Sequence, residues 1–261
     1  MQLNHARILL TGATGGLGQA LAGELSATGA ALLLSGRNAE RLAEIKVAPG
    51  TDYTTLQADL ARGEGIAAAA TAARHFRVNM LINNAGIGCF GLLEQQGWPP
   101  VEKVLAINLE SPIRLTQALL PWLRAQPEAA IVNIGSTFGS IPFAGFAAYS
   151  ATKAGLRAFS QALRRELADS LIRVVHVAPR AIDTALNAPA VNALNRYLKS
   201  HSDSPEAVAA HIVATLRNDR SESHIGFPER LFAWLNGFAP GLIDRGLAGK
   251  LAAIKQHASS Q

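Results

Sequence analysis

Short uninterrupted apolar runs alternate with longer segments in which apolar positions recur every three or four residues, almost to the end of the chain. Runs at 6–10, 31–34, 78–82, 130–134 and 173–177 lack the in–out alternation of a half-exposed strand. They predict strands covered on both faces, as a parallel sheet requires. Residues 53–57 and 224–227 carry a weaker strand signal. Segments 17–28, 39–45, 66–76, 101–123, 148–170 and 205–216 show helical periodicity. Ser204 before Pro205 marks the start of the last of these, a capping hydroxyl followed by a proline suited to the first turn. Pro112 should disturb the 101–123 helix shortly after Asn108.

Strands alternating with helices predict an α/β fold: a single Rossmann-type, doubly wound parallel β-sheet with helices on both faces and ligands at the carboxyl ends of its strands. Residues 1–261 read as one domain. Segment 179–203, of mixed polarity, reads as a mobile substrate loop, and 228–261 as a C-terminal helical extension.

Composition narrows the field. Hydrophobic residues are 49% and charged residues 16%, as in a globular chain. The net charge of +5 comes without a dense Lys/Arg block interleaved with aromatics, so no nucleic-acid partner is expected. The lone Cys89 cannot form an internal disulfide and reads as packing or loop. The first ten residues are too short and polar for a secretory signal, and no apolar run reaches the ~20 residues of a membrane span, so a cytoplasmic location is expected. His176 falls within a buried strand pattern and the other histidines lack convergent partners, so no metal is expected.

Directly after the first strand comes Thr11-Gly-Ala-Thr-Gly-Gly-Leu-Gly18, opening into a helix. Glycines there let the backbone turn tightly and approach a pyrophosphate, while the helix start offers free N–H groups. Gly12, Gly16 and Gly18 do not fit the G-x-G-x-x-G spacing, and a tight steric turn would use glycine too. The second strand ends in Ser35-Gly36-Arg37-Asn38, with no acidic residue between Ala30 and Ala39. A carboxylate there would hold a ribose 2′-hydroxyl, whereas an arginine suits a 2′-phosphate, so NADP(H) is expected over NAD(H). Asp59 has two open roles, accepting from an adenine amino group or capping the next helix.

Tyr149 and Lys153 are four residues apart, on one helical face. A phenol ionises near pH 10, and a neighbouring ammonium lowers that value, making tyrosine a usable general acid or base.

Taken in order, these motifs resemble the short-chain dehydrogenase/reductase family, from about Ala6 to Thr184. Its T-G-x-x-x-G-x-G pattern is met by Thr11, Gly12, Gly16 and Gly18, its N-N-A-G element by Asn83 to Gly86, and Y-x-x-x-K by Tyr149 and Lys153. Ser136 falls thirteen residues before the tyrosine, and Asn108 stands where the family has a helix asparagine. The resemblance implies a carbonyl–alcohol oxidoreductase in which Ser136 holds the substrate oxygen, Tyr149 transfers the proton, Lys153 lowers the tyrosine pKa and binds the nicotinamide ribose, and Asn108 anchors a water of the proton relay. It implies a cofactor site of Thr11, Gly12, Thr14, Gly16, Leu17, Gly18, Arg37, Asp59, Leu60, Asn84, Ala85, Gly86, Tyr149, Lys153, Pro179, Ile182 and Thr184, with Asn84 chiefly tying strands together. A homodimer or homotetramer is implied, with helices 101–123 and 148–170 as contact surfaces.

One departure is Arg180, which follows Pro179 where the family commonly has glycine. It could face solvent, bind a cofactor phosphate or meet an acidic substrate group. Phe90, Phe138, Phe143 and Phe146 suggest an apolar substrate pocket. In the extension, Leu231, Phe232, Trp234, Leu235 and Phe238 form an apolar face near Arg230, Arg245, Lys250 and Lys255. That face could cover the pocket, join subunits or touch a membrane that delivers an acyl-type substrate. Alternative functions are an NAD(H)-preferring dehydrogenase, a relative acting on C=C or C=N bonds, or a catalytically silent nucleotide-binding redox sensor.

Overall fold

A computed structural model describes residues 2–184 and 187–258. Seven strands form one parallel sheet: β1 (Arg7–Thr11), β2 (Ala31–Gly36), β3 (Tyr53–Gln57), β4 (Met80–Asn83), β5 (Ala129–Ile134), β6 (Ile172–Ala178) and β7 (Glu222–His224). Their spatial order is β3-β2-β1-β4-β5-β6-β7. Order reverses between β1 and β4, where Leu10 pairs with Leu34 on one side and Ile82 on the other. A crevice at that switch point is the ligand position for this architecture.

Alternate residues of each strand serve opposite faces. Ile8, Leu10, Leu32, Leu34, Ile82, Val132 and Val175 pack on α1 (Gly16–Ser26) through Leu21 and Leu25, and on the later helix Pro205–Arg217 through Val208, Ile212 and Leu216. Leu9, Leu33, Leu81, Ile131 and Val174 pack on the other face against Ala69 and Ala73, Leu115 and Leu119, and Leu163. Those residues belong respectively to α3 (Gly63–His75), α5 (Ser111–Arg124) and α6 (Ala147–Glu166), while α2 (Ala39–Ala43) and α4 (Trp98–Leu105) complete the first half. Burial on both faces is why these strands read as unbroken apolar runs.

The 101–123 segment is interrupted as Pro112 predicts. Helix α4 begins earlier, with Pro99 and Pro100 in its opening turn, and a π-turn over Ala106–Glu110 separates it from α5. Other boundaries differ too, among them the end of α6 at Glu166 rather than 170. Helix α3 starts at Gly63, three residues before its apolar pattern begins. The final strand is Glu222–His224 rather than 224–227, because Gly226 at φ +101° turns the chain into α9 (Phe227–Phe238). Segment 179–203 contains α7 (Pro189–Tyr197), and its residues 185–186 lie outside the described residues. Ser204 caps α8 (Pro205–Arg217), its hydroxyl accepting from the Ala207 amide at 3.2 Å. The extension 228–261 is helical, with α10 (Pro240–Ala248) and α11 (Leu251–Ala258); its last three residues lie outside the described residues.

Candidate active site

The carboxyl ends of β1 and β4 are sewn together. Thr11 Oγ1 accepts from the amides of Asn84 and Ala85, both at 3.0 Å, and donates to the Ile82 carbonyl. Asn84 Nδ2 donates to the carbonyls of Thr11 at 2.9 Å and Gly12 at 3.2 Å. Asn84 thus ties the two strand ends, as expected. Gly12, at φ +66°, lies so close to Ala85 that a Cβ would come within 2.7 Å of its Cα. A Cβ on Gly16 would meet Thr184 Cγ2 at 2.8 Å, which brings the residue 184 segment onto the glycine turn. The α1 N-cap, Gly15, has no side chain to satisfy the opening amides, and an uncapped helix start of this kind suits an anion.

Thr14 packs beside Gly36, at the end of β2, and Arg37 is exposed next to it. The Arg37 carbonyl accepts from Gln57 Nε2 at 3.1 Å, which fixes its backbone and leaves its guanidinium toward solvent. Leu17 and Leu60 turn their side chains into the two core layers, so each has only backbone to offer a ligand. Asp59 does not cap α3, whose N-cap is Arg62; its Oδ1 instead accepts from the Ala61 amide at 3.1 Å. Cys89 is buried against Gln96, and burial pushes its thiol up, away from nucleophilic use.

Helix α6 carries Tyr149 in its first turn and Lys153 one turn later. Lys153 is almost fully buried, and its Nζ donates to the Ile134 carbonyl at 3.0 Å, at the end of β5. Burial lowers its pKa to about 8. The Tyr149 pKa is raised, because burial outweighs a side-chain hydrogen bond with Ser136 that acts in the opposite direction. Burial, rather than Lys153, dominates this shift in the chain alone. The ammonium lies 5.7 Å from the phenol ring centroid and is directed to a carbonyl. Ser136 follows β5 and accepts from the Phe138 amide at 3.2 Å, which fixes its rotamer beside Tyr149.

Asn108 is fully buried in the π-turn and clamps the Ile87 backbone, accepting from its N–H at 2.8 Å and donating to its C=O at 2.9 Å. A Cβ on Gly86 would sit 3.4 Å from Asn108 Oδ1 and 3.6 Å from Lys153 Nζ, so Gly86 borders both groups. π-Turns of this kind concentrate at functional sites. Beneath lies a buried chain unseen in the sequence: Asn83 Nδ2 donates to Asn133 Oδ1 at 2.8 Å, and Asn133 Nδ2 donates to Ser160 Oγ at 2.8 Å.

An aromatic wall rises around Tyr149. Phe138 and Phe146 meet its ring edge-on, with centroids 6.3 and 6.2 Å away, and Phe90 packs on Phe146 at 4.9 Å. Leu194 of α7 and Ile254 of α11 join the same cluster, so the loop and the extension both cover it.

Arg180 does not face solvent. Its Nε and Nη2 bond the two carboxylate oxygens of Asp203 at 2.8 and 2.7 Å, and Nη1 lies 3.7 Å from Glu229. Ile182 also bridges to Asp203, so the base of the loop is closed. The Pro179 carbonyl accepts from the Thr137 amide at 2.9 Å, fastening the start of this segment beside Ser136.

Comparison with known proteins decides the family. Residues 6–195 match the model of the short chain dehydrogenase family. The chain belongs to the short-chain dehydrogenase family. It is accordingly an oxidoreductase of CH–OH groups that uses a nicotinamide cofactor. Dehydrogenase/reductase SDR family member 7B of Bos taurus is 35% identical over 267 residues, covering 95% of this chain and 82% of that protein. The 3-oxoacyl-[acyl-carrier-protein] reductase FabG of Pseudomonas aeruginosa is 38% identical over 192 residues, 70% of this chain and 76% of that one. The solved structure of a short-chain dehydrogenase from Sphingobium yanoikuyae in complex with NADPH is 29% identical, with a TM-score of 0.76 over 92% of this chain and 95% of that chain.

Proposed function

We propose that this short-chain dehydrogenase is an NADP(H)-dependent enzyme that interconverts an apolar carbonyl compound and its alcohol. The observation that carries the proposal is the convergence of Ser136, Tyr149 and Lys153 under the aromatic wall of Phe90, Phe138 and Phe146. A silent nucleotide sensor has no use for a buried phenol, hydroxyl and ammonium gathered in one place.

The residues present fit the cofactor. The absence of a Cβ at Gly12 and Gly16 lets Ala85 and Thr184 close against the turn, and the uncapped start of α1 offers N–H groups to a pyrophosphate. Arg37 beyond β2 supplies a fork suited to a 2′-phosphate. Lys153 uses one of its three N–H donors on Ile134 and keeps two for ribose hydroxyls. When bound, the nicotinamide supplies or accepts the hydride.

The chain's own groups manage the proton and the position of the substrate. Ser136 donates to the carbonyl oxygen and holds it against the phenol. Burial keeps Tyr149 protonated at neutral pH, so it gives its proton to that oxygen as negative charge develops there, and in the reverse direction takes it back. The proton is replaced along Lys153 and a water. The Asn108 side chain is committed to Ile87, and Pro112 has no N–H for the Asn108 carbonyl four residues before it. That carbonyl is the acceptor we assign to the relay water.

Fluorescence titration with NADPH and NADH side by side, followed by turnover with bulky apolar ketones, tests the proposal. Tighter NADPH binding and ketone reduction are expected. Tighter NADH binding would remove the NADP(H) assignment, and binding without turnover on any carbonyl would remove the enzyme assignment.

A further inference from the structure

Helix α9 is built inside out. A surface helix ordinarily turns its apolar stripe to the core and its polar residues to water. In α9, Leu231, Trp234 and Phe238 recur at helical spacing on one side and are 52%, 62% and 78% exposed. Glu229 and Asn236, on the opposite side, face the protein. Glu229 lies against Arg180, and Asn236 Nδ2 donates to the Ser140 carbonyl at 2.9 Å. Helix α9 is thus held through its polar side. Leu242 of α10 is likewise 55% exposed, and Trp234 and Phe238 contact each other with centroids 5.2 Å apart.

Charge identifies the medium that covers it. Helices α9 and α10 carry the exposed Arg230 and Arg245, and from Arg230 to Ala258 the sequence has a single acid, Asp244. A two-fold contact between copies would set these cationic fringes against each other with little to neutralise them. An apolar strip containing tryptophan, on helices that also carry exposed arginines, matches instead the boundary of a bilayer, with rings among the acyl chains and cations at anionic headgroups. No helix among the described residues is long and apolar enough to cross a membrane, so the contact is peripheral. We propose that the α9–α10 face docks on the surface of a bilayer containing anionic lipid. Docking of this kind depends on neither the cofactor nor the substrate.

The test is sedimentation of the intact protein with vesicles of phosphatidylcholine, with and without phosphatidylglycerol. Binding to the anionic vesicles that weakens with salt is expected, together with roughly tenfold weaker binding for W234S/F238S. R230E/R245E should lose the preference for anionic lipid while keeping its fold, and it decides between the same outcomes should the first variant fail to fold. No binding of the wild-type protein would overturn the proposal, as would equal binding by either variant. Light scattering that shows a larger assembly broken up by W234S/F238S would assign the face to a second copy and overturn it equally.

Discussion

Arg180 and Asp203, 23 residues apart, meet through two parallel hydrogen bonds of 2.8 and 2.7 Å that close the base of the substrate loop. The pair joins the end of β6 to the residue before the α8 cap, and Glu229 brings α9 to the same guanidinium. Both side chains are less than one-fifth exposed, so removing one partner leaves a charge poorly solvated. Arg180→Ala should cost roughly 1–3 kcal/mol of stability, and Arg180→Lys should not restore it, since an ammonium cannot span both oxygens. Thermal unfolding checks this. Looser cover over the aromatic pocket should raise the substrate KM more than it lowers kcat, and equal effects on both would argue against a loop-positioning role.

Ser136 and Tyr149 make a second testable pair. Tyr149→Phe removes the proton donor but keeps the ring against Phe138 and Phe146, so turnover should fall at least ~100-fold with cofactor binding nearly unchanged. Ser136→Ala removes the one side-chain hydrogen bond that opposes the upward shift of Tyr149. The phenol should then ionise at still higher pH, moving the basic limb of the pH–rate profile upward. A limb that stays in place would detach Ser136 from the titration of Tyr149.

Much of this site is legible in the sequence, for physical reasons. Strands buried on both faces produce apolar runs, which mark β1, β2, β4, β5 and β6, and a missing proline amide marks the break after Asn108. The apolar pattern misplaces strand β7 because its residues are Glu222, Ser223 and His224, whose order comes from pairing with β6. Helix α7 hides within a segment that reads as loop because its several Asn and Ala residues give it mixed polarity, although Val191, Leu194 and Leu198 recur at helical spacing and pack on the aromatic cluster. The partners of Arg180 are invisible in the sequence, because Asp203 and Glu229 meet it only through tertiary folding. So is the direction of the Tyr149 shift, which depends on how deeply α6 buries the phenol and on its hydrogen bond with Ser136.

Arg37 should carry the choice of cofactor. Its backbone is fixed by Gln57 while its side chain is exposed beside the crevice, so substitution leaves the sheet intact. Arg37→Ala should weaken NADPH binding about 10–100-fold, the worth of a charge-assisted hydrogen bond to phosphate, with NADH affected little. Titration of both cofactors against the variant reads this directly. An unchanged ratio of the two affinities would remove Arg37 from the cofactor site.

His176 should contribute to the loss of stability in acid. It lies in β6 against Gly135, where a Cβ would collide with its Nε2, and neither ring nitrogen has a hydrogen-bond partner among the described residues. Burial lowers its pKa from 6.5 to about 3; Glu222 opposes the shift, while His224, Arg157 and Lys153 add to it. Between those values the unfolded chain binds a proton that the folded protein refuses, so stability is present above pH 6.5 and is lost as pH falls toward about 3. By linkage this one group should cost about 2 kcal/mol between neutrality and roughly pH 5. His176→Leu, of similar size and without orphaned nitrogens, should flatten that part of the profile and leave stability at neutral pH equal or higher. Urea unfolding midpoints across that range decide the matter: an acid slope unchanged in the variant would place the proton uptake on other groups.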